Sequence, residues 1–379
     1  MTWRCMSKGM LQRPLFIGSE IYRGSSYGKA HPLRVPRVST VMDLSRALGW
    51  LPDAQYVTSP RARPKALWAF HTPEYVSALA RAERRGAVSE AERAAYQLGT
   101  HSNPIFGEMF RRPATGAGGV MRTAELLGKG GIVHVPGGGT HHGMPDRANG
   151  FCYLNDPVLA IKALQHHGAG RVLYVDIDAH HPDGVEVGFA GVQEVRMISV
   201  HEEKRWPFTG ALADTAKGSA FNLPVPRGLN DSEMRYILHE VILPLLEDFA
   251  PDAIVLQCGS DAIEEDPLSR LSLSNNAHVE VVRALMGQAP RLMVLGGGGY
   301  NPWSVGRCWT RIWGALNGQD APQELAPKAQ ALLRALRFER NSRGRNPPEH
   351  WFSTLADTPN EGAVRDEIRA RSAVLRARF

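Results

Sequence analysis

The sequence predicts an α/β sandwich, a mostly parallel β-sheet with helices on both faces. Two observations predict it. Through the middle of the chain, short apolar runs alternate with amphipathic stretches, as happens when crossover helices bury both faces of parallel strands. Each apolar run then gives way to Gly-rich or His/Asp-rich sequence, and open α/β sheets bind their ligands at the carboxyl ends of their strands.

Taken in order, GIVHVPGG (131–138) reads as a strand and DPVLAIKALQHH (156–167) as a helix. Strands RVLYVDIDAHH (171–181) and VRMISVH (195–201) follow, then helix DSEMRYILHEVILPLLEDF (231–249). Strand DAIVLQCGSD (252–261), helix HVEVVRALMGQ (278–288) and strand RLMVLGGGGY (291–300) complete the series. Before about residue 100 the periodicity is helical, in STVMDLSRALGW, TPEYVSALARAERRG and SEAERAAYQLG. After about residue 320 it is helical and polar. No long-period repeat interrupts this, so a single domain over 1–379 is expected, with a helical, Arg-rich extension over about 321–379.

A chain of 379 residues with 43% hydrophobic and 22% charged residues has the composition of a globular protein, which excludes a disordered or collagenous one. Cys5, Cys152, Cys258 and Cys308 are widely spaced, with no C-x-x-C pair for a zinc knuckle. They read as reduced thiols of a cytoplasmic protein. No apolar run is long enough for a membrane span, and the first residues lack a signal-peptide pattern. The net charge of +6 is mild, and no nucleic-acid partner is expected. The Arg-rich stretches RFERNSRGR and RDEIRARSAVLRARF are interspersed with Glu and Asp, as on a solvated helix face. A docking surface for an acidic partner is the alternative. Oligomerisation stays open.

The strand ends carry the chemistry. Asp176, Asp178 and His180 alternate along the second run, so an extended strand points all three to one side. Two carboxylates and an imidazole there repel and desolvate one another unless a cation lies between them. Asp261, at the end of another strand, supplies a third corner to Asp178 and His180, and three protein ligands with an open position mark a catalytic metal site. His141 and His142 follow three glycines and point in different directions, which suits two proton-handling roles. Each needs a carboxylate to fix its tautomer, and Asp176 and Asp183 are available. Asp183-Gly184 is alternatively a simple turn. His166-His167 ends an amphipathic helix, where positive charge complements the dipole. Gly296–Gly299 before Tyr300 matches no nucleotide-binding pattern. Bare backbone beside a phenol instead lets a substrate approach closely while one O–H meets developing negative charge.

These residues resemble the zinc-dependent histone deacetylase superfamily, in particular bacterial acetoin-utilisation-type deacetylases related to class I enzymes. The resemblance covers about residues 15–320. It is carried by YGKAHPLRVPRV, NPIFGEMF, GGGTHHGMPDRANGFCYLND, VLYVDIDAHHPDGVEVGF, ISVHEEKRWPFTG, VLQCGSDAIEEDPLSRLSLS and LGGGGYNPWSVGRCWT. It implies an arginase/deacetylase-like three-layer sandwich around about eight strands. It also implies Zn²⁺, with Fe²⁺ as the alternative, on Asp178, His180 and Asp261. His141 with Asp176, His142 with Asp183, and Tyr300 would be catalytic.

The same resemblance implies a substrate tunnel formed by Gly150, Phe151, Trp206, Leu268 and Gly298. A structural K⁺ would lie near Asp176, Asp178, His180 and Ser199. The expected reaction is hydrolysis of Nε-acetyl-lysine, or of another short acyl-lysine, to lysine and acetate, the acyl-lysine being carried by a protein or peptide. A small acylated amine such as an acylpolyamine is the alternative substrate. A dinuclear manganese hydrolase and a catalytically silent acyl-binding module are further alternatives. Family members often carry an acid where this chain has Ser102, preceded by His101, and the usual HHGDG is here HHPDG, with Pro182. Leu268 replaces the rim carboxylate of polyamine-preferring relatives, with Glu264, Glu265 and Asp266 close by in sequence.

Overall fold

In the computed structural model, described over residues 13–338 and 346–379, eight parallel strands form one sheet. They are β1 (Leu15–Gly18), β2 (Tyr56–Thr58), β3 (Gly131–Val135), β4 (Val172–Asp176), β5 (Val195–Glu202), β6 (Ala220–Val225), β7 (Ala253–Gln257) and β8 (Arg291–Leu295). Their order is β2-β1-β3-β8-β7-β4-β5-β6. The central strands are buried on both sides, as their unbroken apolar runs predict. In β4, Leu173 and Val175 enter one core and Val172 and Tyr174 the other. Each such apolar side chain contributes about 1.5–3 kcal/mol on burial.

The register sets the site. Val135 pairs with Leu295, Leu295 with Gln257, Gln257 with Asp176, and Asp176 with Ser199. One row across five strands thus ends β3, β8, β7 and β4 at a common level, and the four signature loops leave the sheet side by side. The order reverses here, because the chain places β3, passes to β4, and returns later to fill the gap with β7 and β8. Such a switch point is where α/β sheets open a ligand crevice. The helix Asp156–His166 reinforces the arrangement. Its cap residue Asn155 accepts from Val158 N at 3.0 Å and donates to His141 O at 3.1 Å, so one amide starts a helix and holds the His141 loop.

Three strands escape the sequence pattern. β1 and β2 have four and three residues, too few to show a period, and lie in the region read as helical. β6 contains Asn222 and Pro224, yet it is an edge strand, where a missing N–H is tolerated. The C-terminal helix Asp366–Arg376 also departs from the expected solvated face: Ile368, Ser372 and Leu375 are buried. Arg371 Nη1 donates to Pro224 O at 2.6 Å and Arg378 Nη2 to Ala220 O at 2.7 Å, so arginines cover the β6 edge. Most of RFERNSRGR (337–345) and all of the first twelve residues, with Cys5, lie outside the described residues. Among the described residues no helix is long and apolar enough to cross a membrane.

Candidate active site

Asp178, His180 and Asp261 meet beyond the ends of β4 and β7, with one ligand atom from each lying within 4.8 Å of the others. The expected extended strand is absent there, because β4 stops at Asp176. Asp176 Oδ1 accepts from Asp178 N at 2.9 Å and Asp178 Oδ1 from His180 N at 3.0 Å. A carboxylate bonded to the backbone two residues on makes a turn. Two in succession curl the tip, so that His180 Nδ1 lies 3.3 Å from Asp178 Oδ1 and 2.9 Å from Asp261 Oδ2.

Gly298 closes the far side. Its N–H donates to Asp178 Oδ2 at 2.6 Å, and a Cβ built on it would stand 2.0 Å from Asp261 Oδ2. Only glycine fits. Burial pushes the Asp261 carboxyl up, and the neighbouring Asp178 adds to this. Asp178 is held low despite burial, chiefly by His141 and His180. Burial opposes a charge on His180, but hydrogen bonds to Asp178 and Asp261 outweigh it and raise its pKa to about 10. Two carboxylates drawing a proton onto an imidazole define a point that demands positive charge. An O,N,O donor set with this electrostatics fits a divalent ion such as Zn²⁺ or Fe²⁺.

The paired histidines do not point in different directions as expected: their rings lie 4.0 Å apart with the Nε2 atoms facing each other, and only their carboxylate partners differ. His141 Nδ1 lies 2.8 Å from Asp176 Oδ2, and His142 Nδ1 2.7 Å from Asp183 Oδ1. Asp183 opens the helix Asp183–Phe189 and does not form a free turn. For His141, burial is outweighed by Asp176 and Asp178, and its pKa rises to about 9. His142 falls to about 4, through burial and the adjacent His141. Near neutral pH the first is therefore a cation and the second a neutral base. Tyr300 stays protonated, its pKa raised by burial and by Asp261 and Asp178.

Above these groups are two cavities whose walls share His142, Gly150, Phe151, His180 and Tyr300. The inner one, about 50 Å³, includes Gly298, Arg37 and Arg112. The outer one, about 280 Å³, includes Trp206, Leu268, Ser102 and Arg205. Phe151 meets Tyr300 edge-to-face at 6.0 Å, and Trp206 meets His142 at 4.6 Å. Gly150 has φ +52°, and its hypothetical Cβ would lie 2.1 Å from Trp206. That aromatic wall needs glycine beneath it. Ser199 faces Asp176 across β4 and β5, with its Oγ 2.8 Å from His201 Nδ1. Glu264, Glu265 and Asp266 line neither cavity.

Several supporting residues carry no local signal. Tyr174 donates its hydroxyl to Asp176 Oδ2 at 2.6 Å, and the Gln257 amide lies 2.7 Å from His141 Nδ1. Asn149 Nδ2 donates to Asp183 Oδ2 at 2.9 Å. Arg37 donates to Gly297 O at 2.6 Å, and Asp266 accepts from Tyr300 N at 2.7 Å. Gln257, just before Cys258 on an apolar strand, was the one legible hint: a buried amide there needs partners.

Residues 31–316 match the family model described as the histone deacetylase domain. Acetoin utilization protein AcuC of Bacillus subtilis (strain 168) is 34% identical over 328 residues, covering 83% of this chain and 84% of that protein. Histone deacetylase 9 of Arabidopsis thaliana is 36% identical over 313 residues, covering 80% and 73%. The crystal structure of an HDAC homologue from Aquifex aeolicus superimposes with a TM-score of 0.90 at 35% identity, over 96% of this chain and 100% of that one. With its eight-stranded parallel sheet reproduced in that fold and most of its length matched, this chain belongs to the histone deacetylase family of hydrolases.

Proposed function

We propose that this chain is a metal-dependent amide hydrolase that removes acetyl and other short acyl groups from Nε-acyl-lysine, releasing acetate. The observation that carries the reading is one point where Asp178, His180 and Asp261 converge beneath His142, His141 and Tyr300. Those three residues would hold the ion. Once bound, it would supply Lewis acidity, polarising the acyl oxygen and making water acidic enough to attack.

The chain's own groups do the rest. Phe151 and Trp206 flank the four methylenes of a lysine stem, each worth about 0.8 kcal/mol when buried. The inner cavity, about 50 Å³ against about 280 Å³ for the outer one, is the narrower of the two, which supports a short acyl group. Neutral His142, oriented by Asp183, takes the proton of the attacking water at Nε2 and returns it to the leaving amine. His141, kept charged by Asp176, stabilises negative charge from its fixed position. Tyr300 donates its O–H to the developing oxyanion. Asp176 and Ser199, register partners, support the K⁺ position between β4 and β5. The packing of the C-terminal helix against β6 supports reading the chain as one domain. Free, buried Cys152, Cys258 and Cys308 support a reducing, cytoplasmic setting.

The test is to strip metal, reload with Zn²⁺ or Fe²⁺ singly, and measure acetate release from acetyl-lysine peptides and from acetylputrescine and acetylspermidine. Turnover of the peptides by one reloaded form, lost again with chelator, is expected. Turnover of acylpolyamines alone would replace acyl-lysine as the substrate class. Full peptide turnover by metal-free protein would overturn the reading.

A further inference from the structure

The mouth of the tunnel carries a charge that the hydrolytic centre does not use. Among the residues lining the outer cavity, Arg205 is the one permanent cation and none is a carboxylate. Arg205 is not a loose surface arginine. Its Nε and Nη2 hold both oxygens of Glu202, at 2.8 and 2.7 Å. Glu202 closes β5, its side chain is 1% exposed, and the Arg270 backbone N–H also donates to it at 2.8 Å. The guanidinium plane is therefore fixed from the strand end, and a fork held on one edge loses little more freedom when its other edge meets an anion.

Nor is the charge cancelled. Glu202 is shared with Arg227, whose Nε lies 3.7 Å away, so two guanidiniums face one carboxylate. The acidic residues that follow Asp261 do not offset them at the mouth. Asp266 is turned inward, accepting from Leu268 N and Tyr300 N, and Glu264 and Glu265 lie outside the cavity wall. The same cavity is lined by the uncharged Ser102, Phe151 and Leu268. A lysine stem that fills the tunnel leaves its Cα and flanking groups at this mouth.

We propose that Arg205, preset by Glu202, is a specificity-determining residue that selects acyl-lysine substrates bearing a carboxylate beside the acylated side chain and disfavours those with a second cation. This rests on the acyl-lysine reading above. The carboxylate has two sources, the α-carboxylate of free Nε-acetyl-lysine or an acidic side chain next to acetyl-lysine in a peptide.

The experiment compares kcat/KM for Nε-acetyl-lysine against its α-amide, and for otherwise identical peptides flanked by Asp, Asn or Lys. It is run on the holoenzyme and on Arg205→Gln and Arg205→Glu. The native enzyme should prefer at least one carboxylate substrate to its neutral partner and the Asp- to the Lys-flanked peptide by about tenfold. Added salt should narrow that ratio. Arg205→Gln should bring it near one, and Arg205→Glu should invert it. The salt series needs only native protein, so it decides the matter even if a variant misfolds. A preference for the amino acid over its amide identifies the small substrate, and one for Asp over Asn the acidic peptide. Native ratios near one, or ratios unchanged in a folded Arg205→Glu variant, would overturn the proposal. Failure of the native enzyme on every acyl-lysine substrate would overturn the function it rests on.

Discussion

Nε2 of His141 lies 2.9 Å from Nε2 of His142, while each ring is tied through Nδ1 to its own aspartate. A hydrogen bond between two Nε2 atoms requires one to donate. The charged ring, His141 with a pKa of about 9, donates to the neutral one, His142 with a pKa of about 4, and the attacking water must take this donor's place to give its proton to His142 Nε2.

That pairing predicts a bell-shaped pH profile of kcat/KM. Activity should rise as His142 loses its proton above about pH 4 and fall as His141 loses its own near pH 9. Asp176→Asn removes the charge that holds the His141 proton, so the alkaline limb should move to lower pH. An unmoved alkaline limb in that variant would break the assignment of His141 as the charged ring.

Tyr300→Phe should keep the fold and the metal content but lose about 10²–10³ in kcat, as when one oxyanion donor is removed. Its ring packs on Phe151, and its backbone N–H, not its hydroxyl, bonds Asp266, so the substitution removes only the donor. Metal analysis alongside turnover checks this. A variant within a few-fold of native activity would exclude the oxyanion role.

His134 sits in β3 between Phe16 and Trp313, and neither ring nitrogen has a hydrogen-bond partner. Burial lowers its pKa from 6.5 to about 3. The unfolded chain therefore takes up a proton that the folded protein refuses, and stability falls as the pH drops below 6.5 toward 3. Between pH 7.5 and 5 this one group costs about 2 kcal/mol. His134→Leu should shrink the loss between those pH values by about that amount in denaturant titrations. An unchanged loss would mean that the proton finds a partner there.

Truncation before Arg365 should expose the β6 edge. The helix Asp366–Arg376 buries Ile368 and Leu375, and Arg371 and Arg378 occupy β6 carbonyls. Exposed edges template further pairing. The shortened chain should unfold at lower temperature and aggregate, by scattering, while Asp178, His180 and Asp261 stay in place. A truncated chain as soluble and as stable as the full one would show that the helix is an appendage.

The sequence by itself determined the central strands, because each needs an unbroken apolar run to bury two faces, and that property is local. It also placed Asp178, His180, Asp261, His141, His142 and Tyr300 at strand ends, since chemistry-bearing residues stand out after apolar runs. Only the tertiary structure decided how they meet. Local spacing suggested an extended Asp176–His180 segment, but the carboxylates captured backbone N–H groups two residues on and curled it. The short strands β1 and β2 exist because neighbouring strands supply hydrogen bonds that three or four residues cannot make alone, and β6 tolerates Asn222 and Pro224 because it lies at the sheet edge. Gln257, Tyr174, Asn149 and Glu202 act through partners as many as 116 residues away in the chain. Such contacts are fixed by sheet register and by the fold's closure, which leave no trace in residues adjacent along the sequence.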